Sequence, residues 1–233
     1  MNDSRPARQT SGPSAAPKRI LIVDDHPIMR LGLAQLISSE DDLEVCGQAG
    51  TVEQASAMLA NEEPDLLVTD LALPDKHGLE FVKDLRISHP NCAILVLSMH
   101  DESLYAERAL RSGARGYLMK GSAPDHLIKA VRQILGGGIY LSEAMALAML
   151  EIFSRQRPGA GGAPLLQSLT DRELEVFQLI GSGKSSREIA ELLNVSMRTV
   201  DAHRAHMKDK LQLTSGTDLV RHAISWYERQ GGQ

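Results

Sequence analysis

Five polar residues with complementary chemistry stand at the ends of four short apolar runs. Ile20-Leu21-Ile22-Val23 leads into Asp24 and Asp25, and Leu66-Leu67-Val68-Thr69 into Asp70. Ile94-Leu95-Val96-Leu97 leads into Ser98, and Gly116-Tyr117-Leu118-Met119 into Lys120. Three carboxylates brought together repel one another unless a cation joins them. Mg²⁺ suits such a set, because it is hard, keeps several waters and takes few carboxylates plus phosphate. A carboxylate can also attack phosphorus and become an aspartyl-phosphate. Asp70 stands alone after its run and is the candidate nucleophile. Lys120 offers a mobile point charge for a phosphoryl group, and Ser98 a hydroxyl donor. Singly, each position reads as a helix cap or loop residue; together, in strand order, they read as one site.

The runs are the length and composition of buried strands in a parallel sheet. In open α/β sheets ligands bind beyond the carboxyl ends of the strands, so the five side chains converge on one rim. Helical periodicity alternates with the runs. Leu31, Leu33, Leu36 and Ile37 follow the first, and Thr51 with Gln54 reads as a capping box for the second helix. Pro124 and Asp125 open a helix striped by Leu127, Ile128, Val131, Ile134 and Leu135, which Gly136-Gly137-Gly138 ends. The β-α alternation repeated five times predicts a doubly wound, five-stranded parallel sheet.

Residues 18 to about 138 resemble the receiver domain of bacterial response regulators, a flavodoxin-like fold. Val23-Asp24-Asp25-His26, Thr69-Asp70-Leu71, Pro74, Gly78, Leu97-Ser98 and Gly116-Tyr117-Leu118-Met119-Lys120 carry the resemblance. It implies that a partner sensor histidine kinase phosphorylates Asp70 with Mg²⁺ held by Asp24, Asp25, Asp70 and the carbonyl of Ala72. It also implies that Ser98 moves toward the phosphate and that Tyr117 swings inward behind it. The small side chain of Ala72 leaves attack by water relatively open.

Beyond a stretch in which Ser142 caps a further helix toward Phe153, Arg157-Pro158-Gly159-Ala160-Gly161-Gly162-Ala163-Pro164 is loop chemistry and reads as a flexible linker. Cap signals then come quickly. Thr170 with Glu173 and Ser185 with Glu188 are capping boxes, Ser196 caps a third helix, and Ser215 with Asp218 suits a fourth. Four short helices with Asn194-Val195-Ser196 between the second and third predict an all-α helix-turn-helix unit. Leu169–Val176, Gly183–Ala190, Ser196–His203 and Lys210-Leu211 resemble the LuxR-type DNA-binding domain over residues 167 to about 228. Joined to a receiver, this points to the NarL/FixJ class of transcription factors.

At 100° per residue, Val200, Met207 and Leu211 share one face of the third helix, flanked by His203 and Arg204. Arg198, Asp201, Ala202, Ala205 and Asp209 face the other way, with Lys208 at the edge. The expected DNA-binding residues are Arg187, Arg198, Thr199, Asp201, Ala202, His203, Arg204, Ala205, Lys208 and Lys210. Asp201 can accept from a cytosine amino group and the two alanines can touch thymine methyls, while the basic residues contact phosphates. Relatives often carry basic residues where this chain has Asp201 and Ala205. A purely structural account pairs Asp201 with Arg198 or Arg204 on the helix surface.

The chain has 233 residues and a net charge of −5. From Ser168 onward nine basic residues balance nine acidic ones, so the whole excess lies in the first part. Any electrostatic attraction for DNA is therefore local. No apolar run is long enough to span a membrane. The first residues lack the apolar centre of a signal peptide and read as a disordered tail. Cys46 and Cys92 fit no metal or redox spacing and suit burial in a reducing cytoplasm. The expected organisation is a tail over 1–17, a receiver over 18–138, a linker with a helix over 139–166 and a LuxR-type domain over 167–229. The expected function is that of a cytoplasmic, non-enzymatic regulator, switched at Asp70 and reading paired half-sites on double-stranded DNA as a homodimer. The alternatives are an interaction module not controlled by phosphorylation, or a metal-dependent aspartyl phosphotransferase needing a second acid/base group such as Asp75 or His77.

Overall fold

The apolar runs form the strands they predict. In the computed structural model, which describes residues 16–100, 102–122, 124–147 and 165–231, β1 (Lys18–Val23), β2 (Leu43–Ala49), β3 (Leu66–Thr69), β4 (Ala93–Ser98) and β5 (Gly116–Met119) make one sheet in the order β2-β1-β3-β4-β5. All neighbours are parallel, and the register sets Val23 beside Thr69, Thr69 beside Val96 and Ser98 beside Met119. The strand ends therefore lie level, which brings the residues that follow them together. Side chains alternate across the sheet. Ile20 and Ile22 pack with Leu33, Ile37, Leu127 and Ile134 on one face, while Leu21 and Val23 pack with Val52, Leu79 and Val82 on the other.

Helices α1 (Pro27–Ser38) and α5 (Pro124–Leu135) cover the first face; α2 (Val52–Leu59), α3 (Gly78–Ser88) and α4 (Glu102–Ser112) belong to the second. The apolar stripe of α1 falls on Leu33, Ala34 and Ile37. Leu31 departs from the expected stripe and is 57% exposed. Thr51 Oγ1 accepts from Gln54 N–H at 3.1 Å, but Gln54 Oε1 accepts from Gly50 rather than from Thr51, so the cap of α2 is not reciprocal. The two oxygens of Asp75 complete it, each accepting at 2.9 Å from the amides of Val52 and Glu53. Gly78 opens α3 where a Cβ would run into the Leu71 backbone. Only glycine lets this helix start so close behind the Asp70 loop.

Packing onto the sheet continues past residue 138. Tyr140 bridges to Gly116 in parallel, donates its amide to Arg115 at 2.9 Å, and is buried. Ser142 Oγ accepts from Met145 at 3.1 Å and residues 143–147 are helical, with Met145 buried. The rest of that expected helix, the Arg157–Pro164 linker and residues 1–15 of the expected tail lie outside the described residues.

A 3₁₀ turn (Leu165–Ser168) then leads into four helices, α6 (Asp171–Gly181), α7 (Ser186–Leu192), α8 (Met197–Lys210) and α9 (Gly216–Gly231). The capping boxes of Thr170 with Glu173 and Ser185 with Glu188 are both complete. The turns after α7 and α8 use Asn194 and Gln212 at φ 49° and 55°, and asparagine is among the side chains that tolerate that region best. Val200, Met207 and Leu211 are buried against α6 and α9, as their shared helical angle requires. The two units do not have separate cores. Tyr105, Ala106 and Ala109 of α4 belong to the same buried apolar cluster as Leu166, Leu169 and Leu174.

Candidate functional site

The level strand ends bring Asp24, Asp25, Asp70, Ser98 and Lys120 to one rim. Lys120 Nζ lies 2.7 Å from Asp70 Oδ2 and 2.8 Å from Asp24 Oδ2, with all three side chains buried. Burial pushes the Lys120 ammonium down, but the carboxylates of Asp24 and Asp70 outweigh it and hold it above its ordinary value. Asp24 Oδ1 accepts from His26 N–H at 2.9 Å, while Asp24 Oδ2 has no hydrogen bond of good geometry. Asp70 Oδ1 accepts from Leu71 N–H at 2.6 Å. His26 Nδ1 sits 2.6 Å from Asp25 Oδ1.

Three carboxylates face one lysine, so the rim carries excess negative charge. Ligand atoms of Asp24, Asp25, His26 and Asp70 lie within 4.8 Å of one another. The three carboxylates of that set, balanced by a single lysine, fit a hard divalent cation that prefers oxygen ligands. The Ala72 carbonyl belongs to the same loop, whose fold is fixed by a bridge from Ala72 to His77.

Ser98 is buried and its Oγ accepts from His100 N–H at 3.3 Å. Tyr117 already lies inside, 1% exposed, with its hydroxyl donating to the His100 carbonyl at 2.7 Å. The expected inward swing therefore has no outer starting position here. Asp75 and His77 are both engaged at helix starts, Asp75 at α2 and His77 at α3, where its Nδ1 accepts from Leu79 N–H at 3.3 Å. Both cysteines are free thiols, and burial pushes both up, Cys92 to about 12.

On the helical unit, Arg198, Asp201, Ala202, Ala205 and Asp209 are exposed along one face of α8, with Thr199, His203, Arg204 and Lys208 half-buried beside it. Among the described residues, Asp201 makes no ion pair, so neither Arg198 nor Arg204 holds it. Arg187 pairs with Glu191 at 3.1 Å on the surface. Lys210 turns inward to the buried Glu173, at 2.7 Å, and that contact helps hold the Glu173 carboxyl below its usual range against the upward push of burial. Burial also pushes His203 down, favouring its neutral form.

A further set of residues, which no sequence motif marks, docks the two units. Arg108 of α4 donates to the carbonyls of Leu166 and Leu169 at 3.0 and 2.8 Å and to Asp171 at 2.9 Å. Lys83 of α3 reaches Asp171 at 3.1 Å. Tyr105 donates to Gln178 Oε1 at 2.9 Å, and His77 Nε2 lies 3.7 Å from Glu175. Burial pushes Asp171 up, but Arg108 and Lys83 outweigh it and hold its carboxyl below the usual value. Partners 58 to 98 residues apart carry no periodic signal. The exposed face of α8 is not part of this contact.

Comparison with known proteins follows the same division. Residues 20–132 match the response regulator receiver domain, and residues 167–223 match the bacterial regulatory proteins of the luxR family. The oxygen regulatory protein NreC of Staphylococcus carnosus is 35% identical over 210 residues, covering 88% of this chain and 96% of that protein. The transcriptional activator protein ExaE of Pseudomonas putida is 38% identical over 206 residues, covering 88% and 95%. Among solved structures, RcsB of Salmonella enterica serovar Typhimurium, bound to the promoter P1flhDC with the phosphomimetic BeF3⁻, has a TM-score of 0.64 at 26% identity and covers 89% of this chain and 98% of that one.

Proposed function

The chain belongs to the NarL family of two-component response regulators, a receiver domain joined to a LuxR-type DNA-binding domain, and from that premise we propose how its own residues work. A sensor histidine kinase donates the phosphoryl group. An Asp70 carboxylate oxygen attacks phosphorus, the P–N bond to the donor histidine breaks, and the imidazole leaves with the electron pair. Asp24, Asp25, Asp70 and the Ala72 carbonyl would hold Mg²⁺, which neutralises charge on the transferring group. Lys120, already placed between Asp24 and Asp70, pairs with the phosphoryl oxygens. Ser98 donates to them, and Tyr117 follows through the loop they share.

The observation that carries this reading is the Lys120 ammonium bridging two buried carboxylates at the strand ends, 2.7 and 2.8 Å away. Phosphorylation of Asp70 favours a dimer that sets two copies of α8 on paired half-sites of double-stranded DNA. Arg198, Thr199, Asp201, Ala202 and Ala205 face the major groove, with Arg187, His203, Arg204 and Lys208 toward the backbone, while Lys210, expected there too, is held by Glu173 instead. Chromosomal DNA as target puts its work in the cytoplasm. No described helix is long and apolar enough to cross a membrane.

A phosphotransferase acting on other substrates needs a free acid/base group beside Asp70. Asp75 and His77, the nearest candidates, are occupied as caps, which favours a regulator without catalytic turnover of its own. Selection from a random duplex pool, with Mg²⁺ and a small phosphoryl donor, tests the reading. The wild type is expected to enrich two related half-sites, and Asp70→Asn to bind them at least tenfold more weakly. Equal binding by both would remove phosphorylation as the switch. Wild-type behaviour in the absence of any labile phosphate on Asp70 would favour an interaction module instead.

A further inference from the structure

One residue touches both switch side chains of the rim and the aromatic that holds the DNA-binding domain. His100 donates its amide to Ser98 Oγ at 3.3 Å. Its carbonyl accepts from the Tyr117 hydroxyl at 2.7 Å. Its ring stacks on Tyr105, with centroids 4.7 Å apart and planes inclined by 25°. The Tyr105 hydroxyl donates in turn to Gln178 of α6 at 2.9 Å. Lys120, paired with Asp70, donates its amide to the Ser98 carbonyl at 2.9 Å, so the contacts run without a gap from Asp70 to the other domain.

We infer that His100 and Tyr105 are positioning residues that carry the phosphorylation state of Asp70 to α6. The inference rests on the reading of Asp70 as phosphoacceptor. When Ser98 turns its hydroxyl toward a phosphoryl oxygen, the geometry of its bond from His100 N–H changes, and the Tyr117 hydroxyl moves with the same loop. The His100 ring then shifts against Tyr105. Tyr105 is fully buried, and a buried phenol keeps its place only while its hydroxyl has a partner. A shift of that ring therefore registers at Gln178.

The other interdomain contacts are placed differently. Arg108 and Lys83 grip Asp171 and the carbonyls before α6 from the outer faces of α4 and α3. They touch no group of the rim, so they hold the domains without sensing it. His77 approaches Glu175 from the loop that follows Asp70, but its other nitrogen is committed to the start of α3. It is the natural comparison residue.

The single tryptophan, Trp226, lines a cavity between the domains with Met99, His100 and Met119, and so reports on this seam. Full-length protein would be titrated with beryllofluoride and Mg²⁺. Bound beryllofluoride would be followed by ¹⁹F NMR and the seam by Trp226 fluorescence. In the wild type both signals are expected to rise together. Tyr105→Phe keeps the ring and removes only the donor. Its Trp226 signal is expected to lie toward the activated value before any beryllofluoride is added, with the closed-to-open ratio lowered about tenfold. Reciprocity then requires tighter beryllofluoride binding at a rim the substitution does not touch. His100→Leu is expected to bind beryllofluoride while the Trp226 response falls at least fivefold. His77→Asn should respond like the wild type.

Wild-type midpoints and amplitudes in both Tyr105→Phe and His100→Leu, with bound beryllofluoride visible, would overturn the inference and leave Asp70 as phosphoacceptor intact. Loss of coupling in His77→Asn alone would move the path to the loop after Asp70 and overturn it equally. Failure of the wild type to bind beryllofluoride would remove the Asp70 reading and this inference together.

Discussion

Lys120 balances two buried carboxylates with one charge, and that imbalance sets its mutational behaviour. Lys120→Gln leaves Asp24 and Asp70 buried without a counter-ion, a loss expected to cost roughly 3 kcal/mol in urea unfolding without metal. Adding Mg²⁺ should restore part of it, because a ligand that binds only the folded state stabilises by mass action. The Mg²⁺ midpoint of the variant is expected to fall below that of the wild type, since the ammonium no longer competes for the same oxygens. A second prediction separates two kinds of basic residue on α8. Lys210→Ala should lower stability by roughly 1–2 kcal/mol, since it leaves the buried Glu173 unpaired. Lys208→Ala should leave stability alone and reduce the salt slope of DNA binding by about 1. The rim residues were legible in the sequence because a buried strand fixes where its last residue points. Lys210 was legible only as a charge on a helix. Its partner, Glu173, looked like a surface capping residue, and its burial comes from the packing of α8 on α6.

At the scale of elements, two helix starts matter most. α3 begins so close behind the Asp70 loop that Gly78→Ala drives a Cβ into the Leu71 backbone. Overpacking against backbone is expected to cost about 2–3 kcal/mol and to slow phosphorylation, read by acyl-phosphate formation against Tm. α6 begins at Asp171, gripped by Arg108 and Lys83. Its carboxyl is held below the ordinary value of 3.8, so its contribution is complete above that pH and is lost as pH falls through the lowered value. The domain seam, followed by Trp226 fluorescence between pH 6 and 3, should open at the acid end in the wild type. Asp171→Asn should be displaced toward the open value at neutral pH and show a smaller acid response. The caps of α6 and α7 could be read directly, since a capping box is local in sequence. Gln54 could not be placed the same way, because Gly50 and Thr51 compete for one side-chain oxygen and Asp75 arrives from 23 residues away to finish the cap.

Over the whole molecule, the two-domain plan followed from the motifs, but the way the domains meet did not. Arg157–Pro164 reads as a spacer between independent units, yet Leu166 and Leu169 are buried in a cluster shared with α4. An arginine, a tyrosine and a glutamine on helices look like ordinary surface or core residues until the fold brings them face to face. A shared core predicts coupled unfolding. Calorimetry is expected to give one transition for the unphosphorylated chain, and two when beryllofluoride and Mg²⁺ separate the domains. Two transitions in both states would mean that the seam contributes little.

The outward face of α8 stays uncovered while the domains are docked. A resting copy with its reading helix in the open can still meet the phosphate backbone through Arg198, Arg204 and Lys208, and slide or hop between sites on those few contacts. Signal reception then governs dwell time and the arrival of a second copy. The search along the chromosome is under way before the signal comes.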